Sequence, residues 1–202
     1  MGNKAAIFLD RDGTLIKETN YLLSVEQISV FENSFEAVRR INSSGLLAIV
    51  VTNQSAVARG LLSEQQLATI HRSLRIQFSR NGAKLDAIHY CPHHPSEGSG
   101  INTRQCKCRK PNPGMLIQAA SEFGLDLTQS VLIGDKLVDV ETGQRAGTGS
   151  VLVKTGYGEE TATKLENEFG SQRPKWYPDH IASDILQAVN WSLERTGERS
   201  SS

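Results

Sequence analysis

Short, unbroken apolar runs recur along the chain and alternate with segments of helical periodicity. A run of this kind, bounded by turn residues, is typical of a strand that is buried on both faces. We predict strands at 5–9, 46–51, 87–90, 131–135 and 150–154, and a last strand and helix within 180–193. Strands that alternate with helices form a parallel sheet covered on both sides. The pattern therefore predicts an α/β fold, a three-layer Rossmann-like sandwich with a central, mostly parallel sheet.

Capping residues and apolar spacing predict the helices between these strands. Ser63 and Gln66 form a capping-box pair ahead of apolar positions at helical spacing. The other predicted helices are one capped by Asn33 or Ser34 and ending at Gly45, one starting at Pro113 with Asn112 as its cap and ending at Phe123, and one over 139–146. We expect a single domain over 1–193, followed by a polar, disordered tail at 194–202.

Composition and charge narrow the range of partners. The chain has 202 residues, and its 22 basic side chains equal its 22 acidic ones, so no basic field favours nucleic acid. No apolar run reaches transmembrane length, and the N-terminus lacks the features of a secretory signal. Three cysteines in such a chain indicate a reducing compartment and no disulfide framework. We expect a cytoplasmic monomer that binds neither membranes nor nucleic acid.

Polar side chains stand where the predicted strands end. Asp10 and Asp12 follow the first strand, Thr52 the second and Asp135 the fourth. Since the carboxyl ends of parallel strands meet at one edge, we expect these groups to converge there with Lys110 and Asp139. Carboxylates near one point suit Mg²⁺, and a hydroxyl and an ammonium group can hold phosphoryl oxygens. Taken singly, the Asp-Gly pair could be a surface turn and Thr52 or Lys110 a solvated residue.

The loop 91–108 carries a second candidate site. Its potential ligands are Cys91, His93, His94, Cys106 and Cys108. Three thiols and one imidazole in two tight pairs match Cys₃His zinc ligation, and such a closed set is typical of a structural site. We prefer His93 to His94 because its spacing from Cys91 repeats that of the other cysteine pair. Free cysteines that happen to be clustered are the alternative.

The ordered set Asp10-x-Asp12-x-Thr14, Thr52, Lys110 and Asp135-x-x-x-Asp139 resembles the four motifs of the haloacid dehalogenase (HAD) superfamily of phosphohydrolases. The resemblance implies that Asp10 forms an aspartyl-phosphate and that Asp12 is the general acid and then the base. It implies that Asp10, the backbone carbonyl of Asp12 and Asp135 hold Mg²⁺. Thr52 and Lys110 would hold the phosphoryl group. No large insertion interrupts the motifs, so we expect a minimal cap and an open site.

Three stretches narrow the resemblance, namely Thr52-Asn53-Gln54-Ser55 continuing to Arg59-Gly60, Arg109-Lys110-Pro111-Asn112-Pro113-Gly114-Met115, and Gly134-Asp135-Lys136. They are similar to the D-glycero-D-manno-heptose 1,7-bisphosphate 7-phosphatases. This implies hydrolysis of the 7-phosphate to heptose 1-phosphate, in ADP-heptose and lipopolysaccharide core biosynthesis. Histidinol-phosphate phosphatase, a relative with a similar zinc loop, is the alternative. Ala56 stands where glycine is usual, and the loop 96–105 also departs from the pattern.

The same resemblance, together with the need for cations at two phosphates, predicts the substrate-binding residues. They are Glu18, Thr19, Asn20, Tyr21, Thr52, Asn53, Gln54, Ser55, Arg59, Arg109, Lys110 and Lys136. A zinc-stabilised binding module without catalysis is a different hypothesis, and the intact set of acids and lysine speaks against it. Neutral net charge disfavours a phosphatase acting on nucleic-acid ends.

Overall fold

Six parallel strands form the centre of the computed structural model, which describes residues 4–98, 100–169 and 174–199. The strands are β1 (Ala6–Leu9), β2 (Leu47–Asn53), β3 (Ala87–Cys91), β4 (Val131–Gly134), β5 (Gly149–Val153) and β6 (His180–Ala182). They lie in the order β3-β2-β1-β4-β5-β6, and every neighbouring pair is parallel. The predicted α/β class with a parallel sheet is confirmed.

Helices cover both faces of this sheet. They are α1 (Glu32–Ser43), α2 (Ser55–Ala58), α3 (Glu64–Arg80), α4 (Gly114–Phe123), α5 (Leu137–Ala146), α6 (Gly158–Phe169) and α7 (Ile185–Arg199). Ser63 caps α3 as predicted: its hydroxyl accepts a hydrogen bond from the backbone N–H of Gln66 at 3.2 Å. Gly124 ends α4 in the left-handed conformation, with φ of 65°. Within the described residues, no helix is both long enough and apolar enough to cross a membrane.

The central strand shows why the apolar runs are unbroken. Every residue of β1 is buried, because one face packs on one helical layer and the other face on the second. Ile7 and Leu9 join a core cluster with α1, α3 and α7, whereas Ala6 and Phe8 join a cluster with α4. A fully buried Leu, Ile or Phe side chain contributes about 1.5–3 kcal/mol. Both layers therefore anchor the strand that carries the first acidic motif.

The start of α1 differs from the prediction. The helix begins at Glu32 with Phe31 in the capping position, rather than at Asn33 or Ser34. Ser34 is fully buried, and its hydroxyl donates to the carbonyl oxygen of Leu15 at 2.8 Å. A hydroxyl that ties down the preceding segment is not free to cap the helix, so this serine lies inside it.

The C-terminal boundary and two helices were also not predicted correctly. The tail was expected to begin at 194, but α7 continues to Arg199, and 200–202 lie outside the described residues. Glu and Arg are good helix formers, so the helix continues past its last apolar contact. The sequence did not reveal α2, which has only four residues, or α6, which buries only Ala162 and Leu165 among its described side chains.

The parallel sheet gathers the motifs at its C-terminal edge. Asp10 directly follows β1, Thr52 lies near the end of β2 and Asp135 directly follows β4. Because β1 pairs with β2 on one side and with β4 on the other, these three positions are neighbours across the sheet. The strand order reverses at β1, the place where open α/β sheets bind ligands.

Candidate active site and candidate zinc site

Three buried carboxylates and one lysine meet at this edge. Carboxylate oxygens of Asp10, Asp135 and Asp139 lie within 4.8 Å of one another. The Nζ of Lys110 donates to Asp10 Oδ1 and to Asp139 Oδ1, both at 2.6 Å, and to the carbonyl oxygen of Val51 at 3.0 Å. All four charged side chains are almost fully buried, with exposures of 7% or less. The predicted convergence of acids and ammonium at one point is therefore present.

Glycine allows the chain to approach Asp135 this closely. Gly13 has φ of 80°, and a Cβ at that position would overlap Oδ2 of Asp135. Gly156, which lies next to Gly13, has φ of 58°, and a Cβ there would overlap the same oxygen. That oxygen accepts a hydrogen bond from the backbone N–H of Tyr157 at 2.9 Å. Two glycines and one N–H therefore fix the orientation of the carboxylate.

Burial and mutual repulsion make the acids hard to ionise. Burial raises the pKa of Asp10 from 3.8 to about 7, and the charges of Asp139 and Asp135 add to the shift while Lys110 opposes it. Burial, followed by the charge of Asp139, raises the pKa of Asp135 to about 6. For Lys110 burial alone would lower the pKa, but the charges of Asp10 and Asp139 raise it above its usual value. An additional cation would favour the ionised acids.

The donor set fits a hard divalent cation. Oδ1 of Asp135 is buried, and none of the described residues offers it a hydrogen bond. A buried carboxylate oxygen without a partner is costly, and a metal ion removes that cost. Carboxylate oxygens with room for water and phosphate are what Mg²⁺ prefers. The carboxylate of Asp12 does not belong to the group, which is compatible with the expectation that Asp12 would contribute its backbone carbonyl.

Asp12 is held from behind by a buried arginine. Nη2 of Arg11 donates to both carboxylate oxygens of Asp12 at 2.9 Å, and Nε donates to Oδ1 at 3.1 Å. The Arg11 side chain is only 1% exposed and also contacts Nε2 of His71 at 3.2 Å. Nε2 of Gln54 donates to Asp12 Oδ2 at 3.1 Å and to Thr52 Oγ1 at 2.7 Å. The carboxylate of Asp12 and the hydroxyl of Thr52 thus share one partner.

A cleft of about 790 Å³ opens above these groups. Its lining residues are Asp10, Asp12, Glu18, Asn20, Tyr21, Thr52, Asn53, Ser55, Arg109, Lys110, Lys136, Val138, Asp139 and Tyr157. Of the residues predicted to bind substrate, Thr19, Gln54 and Arg59 do not line it. Val138 and Tyr157 line the cleft without having been predicted from the sequence. A signal for Tyr157 was available, since it lies between two glycines just after the predicted fifth strand, at the ligand-binding edge.

Lys136 and Tyr157 form one wall of the cleft. Nζ of Lys136 pairs with Glu18 Oε2 at 3.1 Å and lies 4.4 Å from the centre of the Tyr157 ring. The hydroxyl of Tyr157 donates to Asn20 Oδ1 at 3.3 Å. Glu18 also accepts the backbone N–H groups of Thr19 and Asn20. The segment 18–21, predicted to bind substrate, is therefore tied to the loop after β5.

Arg59 and Tyr21 form a second contact at the rim. The guanidinium carbon of Arg59 lies 5.6 Å from the centre of the Tyr21 ring, and Arg59 forms an ion pair with Glu97. Glu97 belongs to the loop 96–105, which departs from the usual pattern. The charge of Arg59 is therefore partly matched within the protein, and this loop reaches the edge of the cleft.

The candidate zinc ligands lie together. The sulfur atoms of Cys91, Cys106 and Cys108 are 3.2–3.5 Å apart, and Nδ1 of His93 is 3.5 Å from Cys91 Sγ and 3.3 Å from Cys108 Sγ. Sulfur ligands of a tetrahedral zinc with Zn–S bonds of about 2.3 Å are about 3.7 Å apart, so a small outward movement accommodates the ion. His94 points elsewhere, because its Nδ1 accepts backbone N–H groups of the loop.

Hydrogen bonds link this cluster to the residues on either side of Lys110 and Pro111. The backbone N–H of Arg109 donates to Cys106 Sγ at 3.4 Å, and the Asn112 side chain donates to the carbonyl oxygen of Cys106 at 2.9 Å. Asn112, predicted to cap α4, performs this role instead, and Pro113 is the capping residue. The amide of Asn53 holds both the N–H and the carbonyl of Lys110, at 3.0 and 3.2 Å.

Comparison with known proteins supports the same family. A HAD-hydrolase-like family model matches residues 107–188. The D-glycero-beta-D-manno-heptose-1,7-bisphosphate 7-phosphatase of Pasteurella multocida is 44% identical over 154 residues, which are 76% of this chain and 83% of that protein. The D-glycero-D-manno-heptose-1,7-bisphosphate 7-phosphatase of Thermosynechococcus vestitus is 36% identical over 192 residues, 93% of this chain and 95% of the relative.

A solved structure extends the likeness to the fold. The D,D-heptose 1,7-bisphosphate phosphatase of B. bronchiseptica, complexed with magnesium and phosphate, superimposes with a TM-score of 0.79 at 30% identity. The match covers 95% of this chain and 98% of that one. The acids, lysine and cleft described above are thus found in a chain whose relatives share both sequence and fold over nearly its whole length. The chain belongs to the heptose-1,7-bisphosphate 7-phosphatase family of HAD-like phosphatases.

Proposed function

We propose that this protein hydrolyses the 7-phosphate of D-glycero-D-manno-heptose 1,7-bisphosphate, giving heptose 1-phosphate and inorganic phosphate. The pathway would be ADP-heptose synthesis for the lipopolysaccharide core. The observation that carries the proposal is the buried group of Asp10, Asp135 and Asp139 around Lys110, at the floor of a polar cleft. Family membership supports the choice of a sugar bisphosphate as the substrate.

Asp10 is the proposed nucleophile. Its Oδ1 accepts the hydrogen bond from Lys110, which leaves Oδ2 for attack on phosphorus. The bond from phosphorus to the sugar oxygen breaks, and Asp12 gives its proton to that oxygen. Asp12 then takes a proton from water, the water oxygen bonds to phosphorus, and the bond to Asp10 breaks. This sequence returns both carboxyl groups to their starting states.

Asp10, Asp135 and the backbone carbonyl of Asp12 would hold Mg²⁺. When bound, the ion supplies charge that stabilises the transferring phosphoryl oxygens. The Thr52 hydroxyl would contact the same oxygens, since it lines the cleft. Lys110 would contact them by redirecting one of the three N–H groups that it donates to Asp10, Asp139 and the Val51 carbonyl oxygen. Cys91, His93, Cys106 and Cys108 would hold a structural zinc, because the four ligands leave no open position.

Two cations would receive the phosphate that does not react. Arg109 and Lys136 line the cleft, and Arg109 uses one N–H on the carbonyl oxygen of His93 at 3.0 Å, which leaves the rest of its fork for an anion. Glu18 pairs with Lys136 and provides an acceptor for sugar hydroxyls. Such a site favours a substrate with charge at both ends.

The test is a substrate panel with the purified, metal-loaded protein. Both anomers of the heptose 1,7-bisphosphate are compared with heptose 1-phosphate and histidinol phosphate, and phosphorus NMR identifies which phosphate is lost. We expect the highest kcat/KM on the bisphosphate, with the 1-phosphate retained. A higher kcat/KM on histidinol phosphate would overturn the proposal.

A pair of variants separates catalysis from fold. Asp10→Asn should abolish turnover, because an amide cannot form the acyl phosphate. Asp86→Asn is the matched control: this carboxylate has the same 7% exposure as Asp10, but it precedes β3 at the opposite edge of the sheet. We expect the control to keep its activity. Turnover that survives in Asp10→Asn would contradict the nucleophile assignment.

A further inference from the structure

The Gln54 side chain is enclosed beneath the cleft. The residue is 5% exposed, and its Nε2 donates to Thr52 Oγ1 at 2.7 Å and to Asp12 Oδ2 at 3.1 Å. Its Oε1 accepts a hydrogen bond from Nη2 of Arg11 at 3.0 Å. An amide has two N–H donors, so both are used inside the protein. Gln54 therefore has no donor left for substrate, unlike its neighbours in the motif.

The contact with Thr52 determines where that hydroxyl proton can go. A threonine hydroxyl carries one donor, and here its oxygen already receives the proton of Gln54. Within the described part of the chain, the Thr52 hydroxyl has no acceptor of its own. Because Thr52 lines the cleft, its proton is free for a phosphoryl oxygen. The amide thus selects one of the orientations open to the hydroxyl.

The contact with Asp12 is reinforced by charge. Arg11 donates to both carboxylate oxygens of Asp12. Its side chain is only 1% exposed, so the surrounding protein keeps the guanidinium group in this position. His71 packs against Arg11 from α3, and burial, together with the Arg11 charge, lowers the pKa of His71 to about 3. A neutral imidazole can accept a hydrogen bond from the Arg11 guanidinium group, whereas a protonated imidazole would repel its charge. The group can therefore hold Asp12 in one place.

We propose that Gln54 is a positioning residue for phosphoryl transfer. Through one nitrogen it directs the Thr52 hydroxyl at the phosphoryl group, and with Arg11 it holds the Asp12 carboxylate for its work on the leaving group. His71 completes the assembly by fixing Arg11. This inference rests on the proposed phosphatase chemistry, and it replaces the expectation that Gln54 binds the substrate.

The proposal makes the effect of Gln54 depend on the leaving group. A sugar alkoxide must be protonated as it departs, and general acid catalysis contributes on the order of a hundredfold or more. A p-nitrophenolate leaves without that proton. In the step that forms the aspartyl-phosphate, loss of the Thr52 orientation should slow both kinds of ester, whereas loss of the Asp12 position should slow only the alkyl ester. The later hydrolysis of the aspartyl-phosphate, in which Asp12 is the base, is the same for both esters and does not discriminate between them.

The experiment compares Gln54→Leu with the wild type on an alkyl or sugar phosphate and on p-nitrophenyl phosphate. The rate constant of aspartyl-phosphate formation is measured in single turnovers. We expect it to fall about a hundredfold on the alkyl ester and about tenfold on the aryl ester, with KM changed less than about threefold. Gln54→Glu, which keeps the shape but exchanges the donors for an oxygen, should show the same discrimination if Gln54→Leu does not fold. Gln144→Leu is the matched control, since it removes another amide with two donated hydrogen bonds, to Ser150 and Tyr177.

The Asp12→Asn background provides the deciding measurement. If Gln54 acts through Asp12, Gln54→Leu should add no further leaving-group discrimination to Asp12→Asn. Equal losses on both esters, a rise in KM alone, or additive discrimination in the double variant would each overturn the proposal. A wild type that hydrolyses alkyl phosphates but not heptose bisphosphate would refute the proposed substrate, and the comparison of the two esters would still test the role of Gln54. A wild type that is inactive on every ester would refute both the proposed function and the role of Gln54.

Discussion

The affinity for Mg²⁺ should fall steeply as the pH is lowered from about 8 to about 6. Burial raises the pKa of Asp10 from 3.8 to about 7 and that of Asp135 to about 6 in the metal-free protein, and a bound cation must displace these protons. Treated as independent groups, both are ionised in about 5% of molecules at about pH 6 and in about 90% at about pH 8. The expected change in affinity is thus about 20-fold, or about 2 kcal/mol.

The sign follows from which state holds the proton. A raised pKa means that the folded protein keeps protons that the unfolded chain has already lost, so folding of the metal-free protein is favoured on the acidic side of this range. Metal binding reverses this tendency, because it requires both ionised acids. The stabilisation given by Mg²⁺ is therefore larger at the higher pH.

The assay is calorimetric titration of Mg²⁺ into the zinc-loaded protein across this pH range, in buffers of different ionisation enthalpy. Proton release should approach about one to two per ion at the acidic end and vanish at the basic end. Thermal unfolding in a chelator over the same range separates general pH effects on the fold. Asp86→Asn, which removes a buried carboxylate far from the cluster, should leave the profile unchanged. A pH-independent affinity would refute the reasoning.

Three further changes test the cluster and its supports. Lys110→Met leaves two buried carboxylates without their cation, so we expect the free energy of unfolding in chelator to fall by about 3–5 kcal/mol, and by less in acid. Urea unfolding measures this loss, and an unchanged midpoint would contradict the pairing. Gly13→Ala places a methyl group on Asp135 and should abolish Mg²⁺ binding, whereas Gly45→Ala, with a similar φ but open space, should cost only about 1 kcal/mol of stability. Cys106→Ser should reduce bound zinc, measured by elemental analysis, and speed proteolysis of the loop, and full zinc content in this variant would refute the ligand set.

The order of elements and the polar strand ends could be predicted from the sequence. A strand that is buried on both faces is apolar at every position. An unbroken apolar run of only a few residues is therefore enough to predict it. The same local logic found the Ser63 cap and the end of α4 at Phe123. Because parallel strands place their carboxyl ends at one edge, the neighbourhood of Asp10, Thr52 and Asp135 followed from the order of the strands alone.

Elements with little buried apolar surface escaped prediction. The helix α6 buries only two apolar positions among its described side chains, and α2 is a single turn, so neither produces a clear period. Ser34 is a residue type that commonly caps helices, but its hydroxyl donates a hydrogen bond to the carbonyl oxygen of Leu15, which lies 19 residues earlier. A contact of that separation leaves no trace in the local sequence.

What only the tertiary structure decided is how the polar groups divide their hydrogen bonds. Sequence placed Gln54 and Arg59 beside the substrate, but the fold turns Gln54 inward to Asp12 and pairs Arg59 with Glu97. Asp139, which had no assigned role, shares Lys110 with Asp10. Residue types determine which hydrogen bonds and ion pairs are possible. Which of them form depends on differences of a few tenths of an ångström in the distances between segments that are far apart in the sequence. The sequence thus determined the chemistry available at the site, and packing determined how that chemistry is arranged.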